Sequence, residues 1–383
     1  MRTNSMHGHV AIAFVIVSAA AVTALAKPKP LEGKAIATLA PVAQLPEVPV
    51  GIAISNGGRT FLSFSRAVDP MVSMSVAELD NGKAVPFPKG FKQDDGAPAA
   101  DRLLSVQALT VDAKDRLWIL DSGKVGTNGI EPGSAKLIAW DLASDREVKR
   151  IAFPPDVAGR TAFLNDVRID LSRGAEGTAF LTDASPMGPN GIVVVDLASG
   201  RSFRKLQDHA ATKPVKKLKL EVEGKPLVQK KGPAMDQPLL VGADGIALDG
   251  QYVYWSPLTS HHLYRARADE LVDERSQPKV EDHGDKGFAA DGLLGDAQGR
   301  IYSTDFERSA IHRREKNGTW TLIAQGRELD WPDSMALAAD GALFVTTTQI
   351  ARSPWLQGRD KRTKPFTLYR VKTDSTPLLL GAR

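Results

Sequence analysis

One hairpin recurs six times along this chain, and that repetition constrains the fold more than any other feature. Each copy is an extended segment, a tight turn at Asp, Asn or Gly, and a second extended segment rich in aromatic and β-branched residues. The first segments begin at Val50, Gln107, Asn165, Asp244, Asp291 and Asp333. Their return segments begin at Thr60, Leu117, Ala179, Val253, Ile301 and Leu343. Asn56-Gly57, Asp249-Gly250, Gln298-Gly299 and Asp340-Gly341 supply the residues that a short hairpin turn tolerates.

A second hairpin follows nearly every copy. Val76 to Phe87 turns at Asn81-Gly82, Leu137 to Ile151 through Ala143-Ser144-Asp145, and Ile192 to Leu206 at Ser199-Gly200. Ile311 to Ile323 turns at Asn317-Gly318, and Phe366 to Leu379 near Asp374. The fourth unit is less regular, with a helical turn expected between Ala268 and Glu274. Two hairpins per unit make a four-stranded antiparallel blade, so the expected fold is an all-β, six-bladed propeller. The period is roughly 57 residues, against about 40–50 in compact propeller repeats, so the loops are long. A pair of β-sandwiches would leave six equal units unexplained. Ring closure has two candidate outer strands, Ala35 to Leu39 and Thr367 to Leu380.

The 383 residues are 42% hydrophobic and 25% charged, with 49 Lys and Arg against 45 Asp and Glu. So small an excess gives no reason to expect a nucleic-acid partner. Arg2 followed by the apolar run Val10 to Ala26, ending Ala24-Leu25-Ala26, has the form of a cleaved secretory signal over 1–26. The run is short for a full membrane span, which needs about 20 apolar residues. The expected organisation is this leader, then one propeller domain over 27–383, in a secreted or periplasmic protein with no stable membrane span after cleavage. There is no Cys, so disulfides, a lipid anchor through Cys and a Cys nucleophile are excluded. An insertion at about 208–240 carries seven lysines from Lys213 to Lys231 and reads as a solvated loop or a channel lid.

Four of the six first segments open with an acid: Asp166, Asp244, Asp291 and Asp333. Gln107 and Asn165 complete an oxygen-rich ring at one mouth of the channel, and the first unit offers only Gly51. Two carboxylates about 7 Å apart repel by roughly 2–3 kcal/mol at an effective dielectric of 20. The ring therefore calls for raised pKa values or a positive partner: a divalent metal, an amine, or a basic side chain such as Arg168. Its members are the candidate ligand-binding residues, with Asn165, Asp166 and Asp244 as candidate ligands for Ca²⁺, which accepts six to eight oxygens. The bland alternative is that each Asp accepts backbone N–H groups and sets a turn. Asp121, Asp183 and Asp305, at the ends of the return segments, are expected to tie strand ends together. No nucleophile elbow, phosphate loop or zinc pattern is present, and no residue is assigned a catalytic role.

Read in order, these segments resemble the Yellow / major royal jelly protein family, in its bacterial branch. They include Val50-Gly51-Ile52-Ala53-Ile54, Arg116-Leu117-Trp118-Ile119-Leu120-Asp121, Phe163-Leu164-Asn165-Asp166-Val167 and Asp244-Gly245-Ile246-Ala247-Leu248. Tyr254-Trp255-Ser256-Pro257-Leu258, Ala290-Asp291-Gly292 and Trp331-Pro332-Asp333-Ser334 continue the series. The resemblance covers about Pro49 to Val371. It implies a secreted six-bladed propeller, related in topology to the gluconolactonase type, that holds a small aromatic or cationic ligand at the channel mouth. The label related to dopachrome tautomerase, common in this branch, implies proton transfer with a channel Asp as base. Two alternatives stand: a calcium-dependent lactonase or hydrolase of the gluconolactonase type, in which a first-blade Glu would be a metal ligand, and a protein-interaction scaffold.

Overall fold

The computed structural model describes Met1 and residues 34–89, 96–126, 128–230 and 236–381. Apart from Met1, the expected leader at 1–26 lies outside the described residues. Six four-stranded antiparallel sheets form the blades of a propeller. The innermost strands, in blade order, are Gly51–Ile54, Val106–Val111, Leu164–Asp170, Ala243–Leu248, Leu293–Gly295 and Pro332–Leu337.

Burial follows from strand chemistry. Alternate residues of each strand face the blade on either side, so the strands are apolar on both faces. Six buried clusters result, one between each pair of neighbouring blades. Leu120, Leu137, Leu181 and Val193 fill the gap between blades two and three. Tyr302, Ile311, Leu343 and Val345 fill that between five and six. The expected turns form as well: Asn81 and Gly82 both take positive φ, as do Gly250, Gly299 and Gly341. In the first hairpin the left-handed residue is Gly58 rather than Asn56 or Gly57. The helical turn of the fourth unit is the α-helix Ala268–Val272.

Ring closure differs from both expected arrangements. The outer strand of blade six is Ala40–Leu45, which pairs with Phe366–Lys372 from the other end of the chain. Just upstream, Ile36 and Ala37 donate to Leu322 and Ile323 of blade five instead. The stretch from Phe366 is therefore not a hairpin. It is one strand, and beyond Asp374 the chain crosses the lower end of the channel, bridging Pro377 to Asp296.

Candidate functional site

Each inner strand starts at the upper end of the channel, and in four of the six the register slips there. Irregularities fall between Val106 and Ala108, Leu164 and Val167, Ala243 and Gly245, and Pro332 and Met335. The residues inside these slips are Gln107, Asn165-Asp166, Asp244 and Asp333-Ser334. A bulge leaves its residue out of the ladder and re-aims its side chain, so four units present their polar residue by one device. N–H groups at three of these strand starts are taken by hydroxyls of the return strand. Thr182 Oγ1 accepts from Asp166 N at 3.2 Å, and Thr304 Oγ1 from Asp291 N and Gly292 N at 3.1 and 3.0 Å. Thr346 Oγ1 accepts from Ser334 N at 3.0 Å. These threonines were not singled out in the sequence, although their place one before the strand-end acid or Thr is a readable signal.

The glycines after the acids serve close packing. A Cβ on Gly245 would lie 2.3 Å from Asp291 O, one on Gly292 2.1 Å from Asp333 O, and one on Gly51 2.4 Å from Ser63 Oγ. Gly51 thus matches Gly245 and Gly292, and the acid position of blade one is occupied by Val50, which is buried.

The structure brings all six sequence-derived ring residues together, each 8% exposed or less. Gln107 Nε2 donates to Asn165 Oδ1 at 3.1 Å, and Asn165 Nδ2 donates to Asp244 Oδ1. Asp244 hydrogen-bonds onward to Asp291. Asp291 Oδ2 accepts the Trp331 indole N–H at 2.6 Å. Asp333 accepts from Ser334 Oγ at 3.3 Å, and Asp166 lies 3.9 Å from the Arg168 guanidinium. Burial, reinforced by the neighbouring carboxylates, pushes Asp244 and Asp333 well above the ordinary carboxylate range. Burial raises Asp291 to about 7 against the opposing pull of the Trp331 N–H. Asp166 is also raised by burial, and Arg168 opposes the shift. The upward shifts of Asp244, Asp291 and Asp333 favour a partly protonated carboxyl network over four full charges.

The ringed mouth is roofed. Trp331, at φ 57, stacks on Phe306 with ring centroids 4.1 Å apart. Around this pair lies an apolar layer with Ala184, Leu258, Ala289 and Leu356 from four blades, completed by Leu220, Leu227 and Leu239 of the insertion. The insertion forms two small hairpins, Glu221–Val222 with Lys225–Pro226 and Val228–Lys230 with Asp236–Pro238. It packs its leucines down, while its described lysines are exposed. The segment is thus solvated above and packed on the apolar layer below.

Asp121, Asp183 and Asp305 act as expected at strand ends. Asp121 accepts from Leu104 N, Ser105 N and the Lys136 ammonium, Asp183 from Phe163 N and Arg204, and Asp305 from Arg308 and His312. His261 pairs with Glu307 at 2.7 Å, away from the ring. The candidate calcium ligands do not fit that ion. Asn165 is committed through both ends of its amide, Asp244 bonds to Asn165 and Asp291, and Asp166 faces a cation. Val50 supplies no oxygen from the first blade. Among the described residues, no group of three or more His, Cys, Asp or Glu side chains is placed to hold a metal ion. Nor is any helix among them long and apolar enough to cross a membrane.

A family model described as Major royal jelly protein matches residues 104–351. Yellow-related salivary protein SP03 of Phlebotomus perniciosus is 26% identical over 238 residues, covering 58% of this chain and 57% of that protein. Major royal jelly protein 3 of Apis mellifera is 26% identical over 231 residues, covering 59% and 39% respectively. The chain thus matches between about two fifths and under three fifths of the length of these relatives. Among solved structures, a luciferin-regenerating enzyme superposes with a TM-score of 0.56 at 12% identity, covering 90% of this chain and 98% of that one. A putative gluconolactonase gives 0.53 at 12% identity, covering 90% and 95%. At such identities the likeness is one of fold.

Proposed function

The chain belongs to the major royal jelly protein family, and from that premise we propose that it is an exported propeller that binds a small aromatic amine in the acid chamber, with tautomerase-like proton transfer by Asp244 and Asp291. The observation that carries this reading is the charge balance: four buried carboxyl groups face one guanidinium, that of Arg168. An ammonium entering the chamber would supply the missing positive charge, favour the ionised carboxylates and displace protons from them. Gln107 supports the same reading, since its Oε1 is buried without a hydrogen-bond partner and would accept from a donor. The Phe306–Trp331 stack offers the aromatic body an apolar wall. Relatives named for saliva and royal jelly support export.

Proton transfer follows from the carboxyl pair. Asp291, at about 7, is near the value at which a group both takes and gives protons at neutral pH. Its carboxylate would remove a proton from a ligand carbon while protonated Asp244 returns one to a ligand oxygen. The net change is an isomerisation that needs no oxidant.

Tryptamine titrated into the full-length protein at neutral pH tests the binding, with 3-methylindole as the ligand lacking an amine. Tryptamine is expected to bind with proton release, seen as heat that depends on the ionisation enthalpy of the buffer. Asp244→Asn is expected to weaken binding by about 10-fold or more, the scale of one charge-assisted hydrogen bond. Equal binding of 3-methylindole, or no effect of Asp244→Asn, would remove the reading.

A further inference from the structure

Below the acid ring the channel widens into a second space that the ring does not use. Its volume is about 430 Å³, inside the roughly 300–1,000 Å³ range of small-molecule pockets. The walls come from the lower halves of the inner strands and are mixed, with Ile54, Leu109, Leu248 and Leu337 beside Asn56 and Thr110. The floor is the segment after the last strand. It is fastened by the Asp296–Pro377 bridge and by Leu171 N donating to Leu380 O at 3.3 Å. Leu378 and Leu380 rest on the core between blades three and four. The strap therefore covers the side of blades three to five. The opposite rim, carrying Asn56 of blade one and Ala339 of blade six, also borders the cavity.

Among the described residues lining this space, Arg168 is the one charged group. Its Nη1 donates to Val167 O at 2.8 Å and its Nη2 to Leu293 O at 2.6 Å. Its Nε–H is buried with no partner. The Asp166 carboxylate, at 3.9 Å, is beyond hydrogen-bond reach. A guanidinium bordering a largely enclosed space is met best by an ionised acceptor.

We propose that the lower channel is a binding site for a medium-chain monocarboxylate, its apolar body between the inner strands and the strap and its carboxylate on Arg168. An alcohol of the same length would fill the walls equally but bring no charge. An amine would place a cation beside Arg168. Arg168 borders both spaces, whereas Leu294 lines only the lower one, so Leu294→Trp tests this site apart from the acid chamber.

Calorimetric titration of the full-length protein with decanoate, decan-1-ol and decylamine tests the proposal. Decanoate is expected to bind with one equivalent and about 10-fold or more tighter than decanol, the worth of one charge-assisted hydrogen bond. Decylamine is expected to bind more weakly than either. Leu294→Trp, which fills the cavity and leaves Arg168 in place, is expected to weaken decanoate by about the same factor, because Leu294 lines the space. Arg168→Gln is expected to erase the preference for decanoate over decanol. Should that variant not fold, the ligand series and Leu294→Trp decide alone. Equal affinity for acid and alcohol, tighter binding of the amine, unaltered decanoate binding by Leu294→Trp, or no binding at all would each overturn the site.

Discussion

Asp291 and Lys286 titrate near the same pH from opposite sides. Lys286 is buried with its ammonium 3.2 Å from Ser256 Oγ, and burial draws it down to about 7 against the pull of Asp305 and Glu307. A carboxyl raised from about 4 to about 7 binds its proton more tightly in the folded state. Its contribution is complete below about pH 4 and lost as pH rises to 7. Asp244 and Asp333 act in the same direction. A lysine lowered from about 10.5 to about 7 does the reverse, because the unfolded chain holds the extra proton. Its stability is regained as pH rises from 7 towards 10. The melting temperature is therefore expected to fall from pH 5 to 7 and to level off above 7, where Lys286 opposes Asp244 and Asp333, measured by differential scanning fluorimetry between pH 5 and 9. Asp291→Asn should flatten the fall below pH 7, and Lys286→Met should extend the fall above it. A profile that neither variant alters would contradict the assignment.

At the scale of the element, the useful unit is a bulge, a hydroxyl and a close glycine. Removing the hydroxyl leaves two buried N–H groups without an acceptor in blade five. Thr304→Val, nearly isosteric, is expected to cost about 1–3 kcal/mol by urea unfolding. The acids at Asp166, Asp244, Asp291 and Asp333 were legible because the strand pattern of each unit begins with them. The bulges were not, since a register slip is a property of two strands and the sequence of one does not record its partner. For the same reason the first unit was read one residue out of phase. Gly51 drew attention as a missing acid, whereas Val50 holds that position and Gly51 lets Gln107 O approach. The roof was legible only as an alternative, because Leu220, Leu227 and Leu239 lie scattered among lysines whose solvation dominates the local composition.

For the whole molecule, repetition made the blade count and strand pairing readable, and closure was the part that stayed open. Phe366–Lys372 alternates apolar and polar residues while Ala40–Leu45 is apolar but for Gln44, and neither pattern says which distant strand is the neighbour. Leu45, Phe366 and Leu368 are almost wholly buried against blade one, so the seam belongs to the shared core. Leu45→Ala is expected to destabilise the protein by about 2–5 kcal/mol in a chemical denaturation curve. Val148→Ala, on the exposed outer strand of blade two, should change little. A Leu45→Ala effect as small as that of Val148→Ala would mean that the seam carries no stability.

The same seam sets an order on biosynthesis. A ribosome delivers Ala40–Leu45 ahead of all six inner strands, yet the strand it pairs with emerges last. At the roughly 5–20 residues per second of translation, that first strand waits tens of seconds with an open edge. Five blades can assemble behind it on the nascent chain, but the circle cannot shut until Phe366–Lys372 has emerged. A ribosome that stalls before Phe366 therefore releases a horseshoe with two unpaired rims, a target for chaperones and proteases that the completed ring no longer presents.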